Sequence, residues 1–416
     1  MITRRIPDVG SYDTVLCADS VEWCPRMGFR DICVCSTYEL DLSRGAKYGE
    51  AHFLSIPPPE AGNVRVPVYE AAPKVDFAGG VLDAKWGELG GVPVLAVGTS
   101  AGAVSVLSLT RKCSDGFVGT KRDHSVCINQ LRNIRVLANN AVLSVDWAAG
   151  SNTELLTTNG NGTAAIFDLS ISSESDKAHA VARWKAHDLY GAETEVWVGV
   201  FDKVASHTVY TGADDGKFKG WDTRSELKRP LFVNEETNGC GVCSINCSPH
   251  REFLVASGGY DGFVRIWDTR MMHRGSMHSI NVGGGVWRLK WHPQISSKLA
   301  AAAMRGGAHI LTVDCVPHKE GEYSCFLKSF DHYDGHPSEA LTYGIDWSYD
   351  HAWNGNLVGT CSFYDHSLHF WRPGKGSAIF DKFDVWKAEK KNDLPSDKVP
   401  SPVDDEQEIE HSPTLT

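Results

Sequence analysis

The chain has 416 residues, with 52 acidic against 41 basic side chains, a formal charge of −11, 40 Gly and 13 Trp. That charge excludes a nucleic-acid backbone as the default partner, and no apolar run approaches the ~20 residues of a membrane span. Twelve scattered Cys, mostly without paired spacing, and a start (MITRRIPDVGSYDT) lacking an apolar signal core point to a reducing cytosol.

In chain order, short strand-like segments recur as SVEWCP at Ser20, LDAKWG at Leu82, LSVDWA at Leu143, VGVFDK at Val198, CSINCS at Cys243, RLKWHP at Arg288 and YGIDWS at Tyr343. Their aligned positions are Trp23, Trp86, Trp147, Phe201, Cys247, Trp291 and Trp347, spaced by 44 to 63 residues. A period near ~40–45 residues marks the four-stranded blade of a WD-repeat propeller. Each segment is followed by a second apolar run, a tight polar turn and a third run ending near an aromatic. The clearest copies are GADDGKFKGWDTR from Gly212 and GGYDGFVRIWDTR from Gly258. The fold expected is all-β: a closed seven-bladed WD40-type propeller over residues 1–386. The segment from Tyr12 to Cys17 is expected to supply the missing fourth strand of the last blade, which removes the sheet edges. Surface insertions are expected around Gly45–Glu50 and Lys112–Gln130. Residues 387–416, charged and poor in large apolar side chains, read as a disordered tail.

Three units place an Asp six residues before an aromatic: Asp215 before Trp221, Asp261 before Trp267 and Asp365 before Trp371. In WD repeats such an Asp braces the turn between the second and third strands. The turns at that position share one face of a propeller with the loops entering each first strand, where ligands commonly sit. That rule collects Tyr38, Asn161, Asp214, Asp215, Tyr260, Asp261, Arg305, Tyr364, Asp365 and His366 from the turns. The entering loops add Glu195, Trp197 and Trp287. An acidic, aromatic face of this kind suits a cationic, partly apolar group; a generic acidic peptide-binding rim is the alternative.

Other motifs carry less. GTSAG at Gly98–Gly102 matches a nucleophile elbow, but it joins two strands rather than a strand and a helix, so Ser100 reads as a hairpin residue. CGVC at Cys240–Cys243 has no second pair at ligand spacing, and no metal or cofactor is expected. At the entrance of a first strand the pair reads as packing, with Cys243, near the rim, as a nucleophile candidate. His250 and His292 fall on the opposite face.

The motifs ADSVEWCP, GADDGKFKGWDTR with GVCSINCSPHRE, GGVWRLKWHP and TCSFYDHSLHFW, in that order, resemble the WD-repeat diphthine methylesterase family of the eukaryotic diphthamide pathway. The resemblance spans residues 12 to 371. It implies a cytoplasmic carboxylic ester hydrolase that removes the methyl ester of methylated diphthine on translation elongation factor 2, releasing methanol before the final amidation. That substrate carries a trimethylammonium beside the ester, which the aromatic and acidic face would receive. Under this reading His366, braced by Asp365, is the expected general base and Arg305 steadies the oxyanion. Asp214, Asp215, Tyr260, Asp261, Tyr364, Trp197, Trp287 and Glu195 are the expected substrate contacts. The rival reading is a non-enzymatic adaptor, since WDTR at Trp221 and Trp267 resembles the signature of substrate receptors for cullin-type ubiquitin ligases. In that case Arg224 and Arg270 would meet the ligase adaptor.

Overall fold

A computed structural model describes residues 6–374 except 44, 59–62, 64, 112–123, 139, 151–152, 171–179, 319–321 and 354–355. The described residues form seven antiparallel sheets in a ring. The inner strands of blades 1 to 7 are Ala18–Trp23, Val81–Leu89, Val142–Trp147, Val198–Phe201, Val242–Cys247, Arg288–Trp291 and Thr342–Trp347. These are the seven aligned segments of the sequence. Blade 7 is completed by the N-terminal strand Asp8–Asp13, which pairs antiparallel with Ser367–Trp371. Ring closure is as expected, but the closing strand begins earlier, and residues 14–17 form the turn into blade 1. Val126–Arg135, expected within an insertion, is the fourth strand of blade 2. Around Gly45–Glu50 the chain extends a hairpin, Glu39–Asp41 against Ala46–Ser55. The expected tail lies outside the described residues. No helix among them is long and apolar enough to cross a membrane. One cysteine pair, Cys315–Cys325, is a disulfide across the outer hairpin of blade 6.

The repeated aromatic at the end of the inner strand has a physical reason. The indole N–H of Trp86 donates to the Glu22 carbonyl of blade 1, and that of Trp147 to the Lys85 carbonyl of blade 2. Trp291 and Trp347 repeat the contact on Asn246 and Lys290. Where blade 5 has Cys247 instead, its thiol donates to the Phe201 carbonyl of blade 4 at 3.7 Å. Each such residue thus pins its blade to the one before, burying its ring and satisfying its polar atom together.

The bracing Asp residues behave as the WD pattern requires. Asp215 accepts from His187 Nδ1 at 2.9 Å, His187 Nε2 meets Thr211, and Thr211 accepts from Trp221. Asp365 faces His336 Nδ1 at 3.5 Å, while His336 Nε2 and the Trp371 indole meet Thr360. In blade 5, Arg265 takes the place of the His and pairs with Asp261 at 2.6 Å. Such networks lose more than one contact when one member is removed, because a buried donor is left unpaired. Asp215→Ala is therefore expected to cost about 1–3 kcal/mol of stability, read as a lower thermal midpoint. Asp365→Ala should fall in the same range, and an unchanged midpoint for both would refute the bracing role.

Candidate functional site

One face of the ring carries the turns between second and third strands and the loops entering the inner strands. Across it runs a continuous chain of aromatic rings. Trp197 lies 5.4 Å from Trp287 and edge-on to Tyr260 at 6.3 Å; Trp287 stacks on Tyr343 at 5.0 Å; Tyr343 reaches Phe363 at 5.2 Å, and Phe363 reaches Tyr38 and Tyr364. Tyr260 and Tyr364 are exposed. Asp214 accepts from the Trp197 indole at 3.1 Å, fixing that ring. Of the expected substrate contacts, Trp197, Tyr260, Trp287, Tyr364 and Asp214 are brought together here, and Glu195 is exposed two residues before Trp197.

At the mouth of the channel, Trp197 and Trp287 join Leu82, Leu143, Cys243 and Arg288 around a pocket of about 10 Å³. A volume of that order suits one water molecule. Both Trp287 Nε1 and Arg288 Nε are buried without a hydrogen-bond partner among the described residues. Below lies a buried charge network on the inner strands of blades 1, 2, 6 and 7. Glu22 bridges Lys85 at 2.9 Å and Lys290 at 2.5 Å, Asp83 holds Lys85 at 2.6 Å and Arg288 at 3.2 Å, and Lys290 stands 3.8 Å from Asp346. Asp346 also accepts the N–H groups of Trp23 and Trp347. Three cations thus face four acids once Asp19 is included. Asp19 is the unmatched one: it is 3% exposed and its Oδ2 has no partner among the described residues. Burial, helped by Asp83, lifts its pKa to about 7 against the pull of Arg288 and Lys85. A carboxyl with that pKa exchanges its proton near neutral pH.

Several expectations require correction. Asp365 does not brace His366; its carboxylate turns to His336 and to the Ser367 N–H. Asp215 and Asp261 are engaged by His187 and by Arg265. The ring of His366 instead joins Cys17 and Glu39. Arg305 stands exposed on the turn of blade 6, and the guanidinium at the channel mouth is Arg288. Burial pushes the Cys243 thiol well above its ordinary value, which disfavours a thiolate nucleophile. Ser100 accepts the Gly80 N–H within a hairpin, and Asn161 caps its own turn through Thr163. On the opposite face His250 and His292 hold loops, as expected. Arg224 and Arg270 each pair with the Asp of their own WDTR, at 2.8 and 2.6 Å.

Asp19 and Arg288 were missed because each reads as a strand residue. The available signal was a charge within a segment otherwise built for burial, in ADSVEW and WRLKW, which on an inner strand leaves only the channel for it to face.

A ring of seven such sheets, with its Asp–His–Thr–Trp braces, is a WD-repeat propeller, and the WD domain, G-beta repeat model matches residues 230–268. A chain in a crystal structure of the mitotic checkpoint complex shares the fold at 16% identity and a TM-score of 0.58, over 89% of this chain and 94% of that one. Within that class, the mouse protein named diphthine methyltransferase is 31% identical, over 81% of this chain and 68% of its own length. Its human counterpart is 31% identical over 81% and 74%, and the Dictyostelium discoideum homologue 29% over 86% and 96%. The chain belongs to the diphthine methyltransferase family.

Proposed function

We propose that the protein hydrolyses the methyl ester of methylated diphthine on translation elongation factor 2, at the mouth of the channel. The observation that carries this reading is the water-sized pocket lined by Trp197, Trp287 and Arg288, the last two with unpartnered N–H donors, together with the buried carboxyl of Asp19, which interacts with Arg288. The aromatic chain offers π faces to the trimethylammonium, an attraction of ~0.5–2 kcal/mol per well-placed ring. Asp19, in its ionised form, takes a proton from water as the oxygen attacks the ester carbonyl. The developing oxyanion is received by Trp287 Nε1 and Arg288 Nε, donors that need no reorganisation because nothing else occupies them. Collapse of the tetrahedral intermediate breaks the carbonyl–methoxy bond, and the proton held by Asp19 leaves with methanol. The product is the free carboxylate of diphthine.

The relatives' name speaks of methyl transfer, and the products distinguish the two reactions. Incubated with elongation factor 2 carrying methylated diphthine, the purified protein is expected to release one methanol per factor, and the factor to lose the mass of one methylene. A gain of methyl groups by the factor in the presence of S-adenosylmethionine, without methanol, would overturn the reading.

A further inference from the structure

A second cluster lies on the same face, at the joint between the first and last blades. Cys17 comes from the turn that leads the closing strand into blade 1, Glu39 from the hairpin extension of blade 1, and His366 from the turn of blade 7. One ligand atom from each, thiol, carboxylate and imidazole, lies within 4.8 Å of the other two. We propose that these three residues form a zinc-class divalent metal site.

The geometry is close to what such an ion requires. With metal–sulfur bonds near ~2.3 Å and metal–nitrogen or –oxygen bonds near ~2.0–2.2 Å, tetrahedral ligand atoms stand roughly 3.3–3.7 Å apart. Closing the cluster therefore needs shifts of about 1 Å or less, within the reach of rotamer adjustment. The donor set is also that of a borderline-soft cation: a sulfur and an imidazole select zinc over magnesium or calcium. On binding, the ion takes the place of the Cys17 thiol proton, since a coordinating thiol is deprotonated outright.

The backbone of His366 fits a residue retained for its ring. It sits at φ +56°, while the equivalent turn residues of blades 4 and 5 are Gly216 and Gly262, at +73° and +76°. A non-glycine residue there carries a conformational cost. The three ligands leave a fourth position for water. Their places in the chain give the ion a task independent of the proposed hydrolysis: it ties the closing segment to the blades on either side. Sequence spacing hides such a site, because no two of its ligands are neighbours.

The test uses the full chain, stripped with a chelator and titrated with Co²⁺ alone. One equivalent is expected to produce thiolate-to-cobalt charge-transfer absorption together with the intense visible bands of a tetrahedral ion. Zinc should bleach both and raise the thermal midpoint by about 3 °C at a hundredfold excess over Kd. Cys17→Ser should abolish the charge-transfer band, and His366→Ala should weaken binding at least tenfold. Should Cys17→Ser fail to fold, Glu39→Gln reads the same affinity without touching the buried sulfur. Absence of the charge-transfer band in the unmutated protein, or its persistence in Cys17→Ser, overturns the proposal; so does cobalt affinity unaltered in both His366→Ala and Glu39→Gln.

Discussion

Asp19→Asn is expected to lower ester hydrolysis by roughly 10²–10⁴-fold while the ring stays folded. Asparagine keeps the shape of the side chain and removes only its capacity to take a proton. Because the base works in its ionised form, and burial places its pKa at about 7, the unmutated enzyme should lose kcat/KM as pH falls below neutrality. The limb should drop tenfold per pH unit and be absent in the variant. Stability should move the other way. A carboxyl whose folded pKa is raised favours the folded state below its unfolded pKa, and that contribution is lost as pH rises through about 7. At pH 8 the Asn variant should therefore melt higher than the parent, and the gap should close as the pH approaches 4. A folded variant with undiminished turnover would remove Asp19 from the chemistry.

Glu22→Gln should be the most damaging single change to the fold. The carboxylate is 4% exposed and stands between two buried ammonium groups, Lys85 and Lys290, in different blades. Burial pushes its pKa up, but Lys290 and Lys85 outweigh that and hold it below the usual carboxylate range. Removing the charge takes a buried counter-charge from both cations, leaving Lys85 to Asp83 and Lys290 to the more distant Asp346, a loss of roughly 3–5 kcal/mol. The measurement is the thermal midpoint beside that of a Glu22→Gln/Lys290→Met double variant, which leaves one fewer uncompensated cation. The double variant should recover part of the loss, a non-additivity that marks a direct interaction. Equal midpoints for Glu22→Gln and the parent would show the bridge to be replaceable by water. As pH falls, this group's contribution should vanish through its depressed folded pKa, so the difference between parent and variant narrows in acid.

The ring was readable because its blades share one requirement. Most place a polar-tipped residue at the end of the inner strand to reach the carbonyl of the blade before, and the phase of Trp86, Trp147, Trp291 and Trp347 displays it. Local patterns could not show long-range partners. Asp365 reads as bound to the His beside it, yet the ring it faces is His336, delivered by the loop entering the same blade. The strand Val126–Arg135 was hidden by its polar, largely exposed sequence, which an outermost strand tolerates because only one side is covered. The aromatic rim was legible from turn positions. Its floor was not, because Asp19, Asp83 and Arg288 lie on three inner strands and meet only when the ring closes.

The closing strand also sets an order in time. Asp8–Asp13 leaves the ribosome long before its partner, Ser367–Trp371, is made. At about 5–20 residues per second, some 20–70 s separate the two. Throughout that interval the nascent chain carries an unpaired strand at Asp8–Asp13 and an open edge at each newest blade, both templates for wrong pairing. The channel network cannot form either, since Glu22 waits for Lys290 and Asp19 for Arg288. A chain that stops a few residues short of Trp371 has made every residue of the channel mouth and still lacks the contact that holds them in a circle, which makes the strand Ser367–Trp371 a checkpoint on synthesis.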